Sequence, residues 1–169
     1  ARFMGLGSAS SGILCHGGTL ANLTALLAAR QRKASGNAWK NGSAGPCAVL
    51  VSEQAHYCVD RAVRVMGWGA VGTVKVRTLG NHQIDPEALQ EAHAEAIDQG
   101  LEVIAVVGNA CTTSTGTFDD LEMLGSFAQQ NDLWFHVDGA HGAAQIFSER
   151  NKAPLKGMER ADSVAMDFH

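Results

Sequence analysis

Short valine-rich runs recur along this chain, and the longer segments between them carry apolar residues at a helical period. The runs are Cys47-Ala-Val-Leu-Val51, Thr73-Val-Lys-Val-Arg77, Glu102-Val-Ile-Ala-Val-Val107, Leu133-Trp-Phe-His-Val137 and Asp162-Ser-Val-Ala-Met166. Runs this short and rich in β-branched residues read as strands, and the unbroken apolar ones as strands covered on both faces. Leu20, Leu23, Leu26, Leu27 and Arg30 trace a helical stripe, and Arg30, Arg32 and Lys33 suit the negative end of its dipole. Tyr57 to Met66 keeps the same period and stops at Gly67. Asp85-Pro86 opens a third helix with proline at its tolerated first position. Asp119 and Glu122 stand at capping-box spacing ahead of Leu121, Leu124, Phe127 and Ala128. Strands alternating with helices predict an α/β fold, a mostly parallel sheet sandwiched by helices. The turn-rich stretch from Ser35 to Pro46 reads as a surface loop, and no repeat or low-complexity tract interrupts the pattern.

Composition narrows the function classes. With 169 residues the chain is one domain or a piece of one. Charged residues make up 18% and hydrophobic ones 46%. That charged share lies below the ~25% of an average soluble domain. The surplus apolar surface is expected to lie against a partner chain or further sequence. Thirteen Lys and Arg against seventeen Asp and Glu leave no basic face for a nucleic-acid backbone. No apolar run approaches the ~20 residues of a membrane span, and no signal peptide opens the chain. Cys15, Cys47, Cys58 and Cys111 form no C-x-x-C pair and stand in apolar stretches, as expected of buried, reduced thiols in a cytoplasmic protein. The first residue is Ala, and the last run stops where a loop should begin, so a fragment of a longer enzyme is expected.

In a parallel sheet, ligands sit beyond the carboxyl ends of the strands, and four segments placed there carry chemistry. Gly12-Ile-Leu-Cys-His-Gly-Gly-Thr19 leads into a helix. It fits either an anion cradle made by helix N–H groups or a tight turn with Thr19 as N-cap. It matches neither nucleotide pattern: Gly18 stands where a Walker loop needs Lys, and Gly5 and Gly7 are followed by Ser10 where a dinucleotide loop needs Gly. His56 follows a strand and opens a helix, as a cap, a surface histidine, or an imidazole that stacks on a flat ligand and moves protons. Thr112, Thr113, Ser114, Thr115 and Thr117 crowd five hydroxyls into six residues, to satisfy a turn or to bind a polar ligand. Asp138 ends an apolar strand, where a buried carboxylate needs a cation or donors. His136, Asp138 and His141 repeat no known metal-ligand spacing, so no metal is expected. A partner for a cationic ring nitrogen fits Asp138 better. A phosphate cradle, a stacking imidazole, hydroxyls and a buried carboxylate are together the inventory for pyridoxal 5′-phosphate.

The motifs are similar to those of the group II pyridoxal-phosphate decarboxylases, a family that includes glutamate, aromatic amino acid, histidine and diaminobutyrate decarboxylases. Gly17-Gly-Thr-Leu-Ala-Asn-Leu-Thr-Ala-Leu-Leu-Ala-Ala-Arg30 resembles its phosphate-loop helix. Ser52 to Ala62 resembles the cofactor-stacking segment, and Asn109 to Leu121 the threonine-rich loop. His136-Val-Asp-Gly-Ala-His-Gly142 resembles the aspartate motif, and Asp162 to His169 the run into the Schiff-base lysine.

The resemblance implies the large domain of a fold type I pyridoxal-phosphate enzyme, present in part over residues 1–169, with the N-terminal segment and the small C-terminal domain missing. It implies Gly18 and Thr19 on the cofactor phosphate, His56 stacked on the ring, Thr113 on the ring substituents and Asp138 on the ring nitrogen. Ala140 would pack on the other ring face, and His169 would reach the phosphate or the substrate. The implied activity is decarboxylation of an L-amino acid to its amine and carbon dioxide, in a homodimer. The family's lysine would come next after His169. Lys33, Lys40, Lys75, Lys152 and Lys156 do not match its position, so the chain alone is expected to be inactive. The alternatives are an aminotransferase, a cysteine desulfurase-like enzyme, or an inactive remnant.

Overall fold

The computed structural model describes residues 4–42 and 45–168. Five parallel strands form one sheet: β1 (Cys47–Ser52), β2 (Thr73–Val76), β3 (Glu102–Asn109), β4 (Trp134–Gly139) and β5 (Ser163–Met166). Their order is β2-β1-β3-β4-β5. The helices are α1 (Gly18–Lys33), a single turn α2 (Ala38–Asn41), α3 (Cys58–Val65), α4 (Pro86–Asp98) and α5 (Leu121–Gln130). Three short 3-10 turns join β4 to β5.

Strand periodicity divides the core in two. Leu50, Val106, Phe135 and Val137 face one side, where they pack with Leu89 of α4 and Leu121, Leu124 and Phe127 of α5. Val49, Val51, Ala105 and Val107 face the other, against Leu26 of α1 and Val59 and Val63 of α3. Successive side chains on a strand point to opposite faces. Phe135 and Val137 therefore leave Trp134, His136 and Asp138 on the α1/α3 side. The chain runs from β1 to β2 on one flank and then returns past β1 to β3. The carboxyl ends of β1 and β3 thus diverge at a switch point, the usual place for a ligand in an open α/β sheet.

Several expectations need correction. Residues 11–15 have no regular structure, so the glycine turn does not follow a strand. Gly17, at φ 84°, is the N-cap of α1, and Thr19 lies inside its first turn. A left-handed φ of this kind favours glycine. The buried face of α1 is Asn22, Leu26 and Ala29, whereas Leu20 and Leu27 are exposed. Leu23 and Leu26 of the expected stripe do pack inward, and the buried face differs from it by including the polar Asn22. The loop before β1 contains α2, capped by Asn37, which accepts from the Lys40 N–H at 3.0 Å. The N-cap of α5 is Asp120, whose carboxylate accepts from the Met123 N–H at 2.9 Å. Asp119 is instead buried. It accepts from the Asn109 N–H and Nδ2 (both 2.8 Å) and from the Ile84 N–H (3.0 Å), and so binds the end of β3 to the turn before α4. Burial pushes its carboxyl above the ordinary value, against the pull of those donors. All four cysteines are free, but only Cys47 and Cys58 are buried.

Candidate functional site

A cleft of about 220 Å³ opens at the switch point, between α1 and the carboxyl ends of β1, β3 and β4. It gathers most of the residues singled out from the sequence. Gly18, Thr19, His56, Thr113, Asp138 and Ala140 all line it. His169 lies outside the described residues.

One end of the cleft is the N-terminus of α1. No side chain caps this helix, and no acid stands in its first turn. Its first N–H groups and the positive end of its dipole are therefore available to an anion. The opposite wall comes close: a Cβ on Gly18 would stand 2.9 Å from the Ala140 Cβ. Only glycine allows that approach.

Asp138 forms the floor. It is 7% exposed, at the end of β4, and pairs in register with Asn109 of β3. Its Oδ1 accepts from the Ala140 N–H at 3.3 Å, and the Cys58 thiol lies 4.0 Å from Oδ2. No ion pair among the described residues includes it. A buried carboxylate with so few donors is suited to a cationic group entering from the cleft.

His56 stands above, after β1 and ahead of α3. Its Nδ1 accepts from the Cys58 N–H at 3.3 Å, which satisfies a first-turn donor of α3 and leaves Nε2 to carry the ring proton. Its ring centroid is 4.2 Å from that of Tyr57. This histidine thus caps α3 and also lines the cleft. On the β3 side, Cys111 keeps φ at 74°, a left-handed conformation unusual for a residue with a side chain. Thr112 does not face the cleft alone: its hydroxyl is bonded to that of Thr115, within the turn.

Sequence reasoning missed the support behind Asp138. His136, Asn22 and Cys58 are buried on the α1/α3 side of the sheet. His136 Nε2 is 2.7 Å from Asn22 Oδ1, and its Nδ1 is 2.9 Å from Ser163 Oγ. Asn22 Nδ2 donates to Cys58 Sγ at 3.4 Å. Burial holds His136 below the ordinary imidazole range, although the charge of Asp138 opposes this. Burial, and then the Asp138 charge, push the Cys58 thiol up to about 11. The available signal was the position of Asn22, four residues before Leu26 on the same helical face. Among the described residues no three His, Cys, Asp or Glu side chains cluster as metal ligands.

An anion-ready helix end, a histidine wall, a close Gly18–Ala140 approach and an unpaired buried carboxylate fit the phosphate, ring and ring nitrogen of pyridoxal phosphate. The comparisons agree. The family described as "Pyridoxal-dependent decarboxylase conserved domain" matches residues 1–169. An aromatic-L-amino-acid decarboxylase of Bacillus atrophaeus is 36% identical over 166 residues, which cover 98% of this chain and 33% of the relative. An aspartate 1-decarboxylase of Aliivibrio fischeri is 36% identical over 173 residues, 95% of this chain and 32% of the relative. The crystal structure of the glutamate decarboxylase domain of a diaminobutyrate-pyruvate transaminase and L-2,4-diaminobutyrate decarboxylase from Vibrio parahaemolyticus superposes with a TM-score of 0.92. It is 34% identical, over 99% of this chain and 38% of that one. The chain thus spans about a third of the length of the relatives it matches. Fold, cleft and sequence agree that the chain belongs to the pyridoxal-dependent decarboxylase family.

Proposed function

We propose that the complete protein uses pyridoxal 5′-phosphate to decarboxylate an L-amino acid, and that this chain is the core of its cofactor domain. The observation that carries the reading is Asp138, buried without a cationic partner on the floor of a cleft whose far end is an uncapped helix. Gly18 and Thr19 hold the phosphate through N–H groups, with the Thr19 hydroxyl as a further donor. His56 covers one face of the ring and Ala140 the other. Thr113 donates to the ring substituents, and Asp138 keeps the ring nitrogen protonated. When bound, the cofactor supplies an electron sink for the bond that releases carbon dioxide. His169 and an anchoring lysine belong to the same proposal.

Family membership and the matched lengths support a small-molecule amino acid substrate and further domains outside this chain. The exposed Ile13 and Leu14, ahead of α1, support a second copy as partner, and the free thiols support a cytoplasmic setting. Among the described residues no helix is long and apolar enough to cross a membrane.

The test is carbon dioxide release from a panel of amino acids by the complete protein, with the amine identified as product. Asp138→Asn is expected to retain the cofactor and to lower kcat about ten- to a hundredfold, the scale of one hydrogen bond to a charged group. Wild-type turnover in that variant would remove Asp138 from its role. An α-keto acid product without carbon dioxide would favour an aminotransferase.

A further inference from the structure

We infer that Trp134, Ser163, His136, Asn22 and Cys58 form a one-way hydrogen-bond chain whose last member donates its thiol proton to Asp138, making Cys58 a positioning residue for that carboxylate. The inference rests on the reading of Asp138 as partner of the ring nitrogen and deepens it.

The direction is assigned link by link, from donor chemistry and, at His136, from the shorter of two contacts. The indole Nε1–H of Trp134 can only donate, and Ser163 Oγ receives it at 2.8 Å. The serine proton is then free to point at His136 Nδ1, 2.9 Å away, nearer to that nitrogen than the Ser163 carbonyl at 3.2 Å, which would accept from it in the opposite tautomer. With Nδ1 accepting, the neutral ring carries its proton on Nε2, facing Asn22 Oδ1 at 2.7 Å. The other half of that amide is a pure donor, and it gives to Cys58 Sγ at 3.4 Å. The remaining thiol proton has the Asp138 Oδ2 before it, at 4.0 Å. Five buried or half-buried groups from α1, α3, β4 and β5 thus point their protons the same way. Bonds in such a chain polarise one another.

The arrangement answers a problem set by the cleft. Asp138 must stay ionised and aimed at its partner with few donors of its own. A strong donor on Oδ2, such as a lysine, would neutralise the charge and compete with the ring nitrogen. A thiol is a weak donor and, raised by its surroundings, keeps its proton. It steadies the carboxylate and leaves its negative charge to the cofactor. Burial disfavours a positive charge on the His136 ring, which suits a link that passes polarity on.

The experiment uses the complete protein, with and without pyridoxal phosphate. In the cofactor-free wild type, the infrared S–H stretch that disappears in Cys58→Ser is expected at a lowered, hydrogen-bonded frequency. It should move up to the free-thiol frequency in Asp138→Ala. A band already at the free-thiol frequency, or one that Asp138→Ala leaves in place, overturns the inference without any use of the cofactor. Cofactor affinity is then read by visible absorbance. Cys58→Ala is expected to weaken it about three- to tenfold, the scale of one modest hydrogen bond. Cys58→Ser keeps a donor and is expected to restore most of the loss. Equal affinities for the two variants would mean that volume matters and the donor does not, which also overturns it. Should Asp138→Asn keep full turnover, the ring-nitrogen reading fails, and the infrared band still decides the link from Cys58 to Asp138.

Discussion

Gly18 and Ala140 face each other with no room for another methyl group, since a Cβ on Gly18 would reach 2.9 Å from that of Ala140. Gly18→Ala is therefore expected to lower stability by about 1–3 kcal/mol, the scale of an overpacked contact. It should also weaken cofactor binding, and Ala140→Gly in the same chain should restore both. Urea denaturation and a cofactor titration check this, and unchanged stability in the single variant would refute the close packing. Residues of this kind were legible in the sequence. Gly18, Thr19, His56, Thr113, Asp138 and Ala140 stand in local motifs and reach the cleft together. Asn22, Cys58 and His136 were not legible in the same way. Their partners lie 36 and 114 residues apart in the chain, so no local spacing announces them. Cys58 also read as one more apolar thiol.

At the scale of elements, adjacent aspartates do different work. Asp120 caps α5 from the surface, whereas Asp119 gathers three donors from two segments in the interior. Asp120→Ala is expected to cost about 0.5–2 kcal/mol, as for an ordinary cap. Asp119→Ala strands buried N–H groups and should cost about 2–3 kcal/mol. Equal losses in chemical denaturation would contradict the assignment. The sequence pattern placed the cap one residue early because both carboxylates precede the same apolar run, and only the fold decides which is buried. Strand positions were legible to within a residue or two, since valine-rich runs are what a doubly covered sheet requires. β3 runs on to Asn109, beyond the last valine, because Gly108 and Asn109 continue the ladder with Val137 and Asp138.

At the scale of the whole molecule, His136 ties α1 and β5 to β4 through its two ring nitrogens. Burial depresses its pKa below the ordinary 6.5. Between that value and the lower folded one, the unfolded chain binds the proton and the folded chain does not. Stability is thus fully present above about 6.5 and falls as pH drops toward the folded value. His93, half-buried beside Phe127, acts in the same direction. His136→Gln keeps His93 and should flatten the pH dependence of unfolding free energy below pH 6.5. A wild-type slope in that variant would show that other groups set the acid limit.

The distance between Asn22 and His136, 114 residues, is also an interval of time. A ribosome adding about 5–20 residues per second leaves roughly 6–23 seconds between the two. During that interval the segment of the glycine turn and α1 has been made without the strand that closes on it. α3 arrives earlier and gives α1 a first surface to rest on, but the amide of Asn22 gains its histidine only when β4 is made. The cleft is therefore incomplete until β4 is made, and a nascent chain halted before β4 carries the α1 segment without the Ala140 wall opposite Gly18.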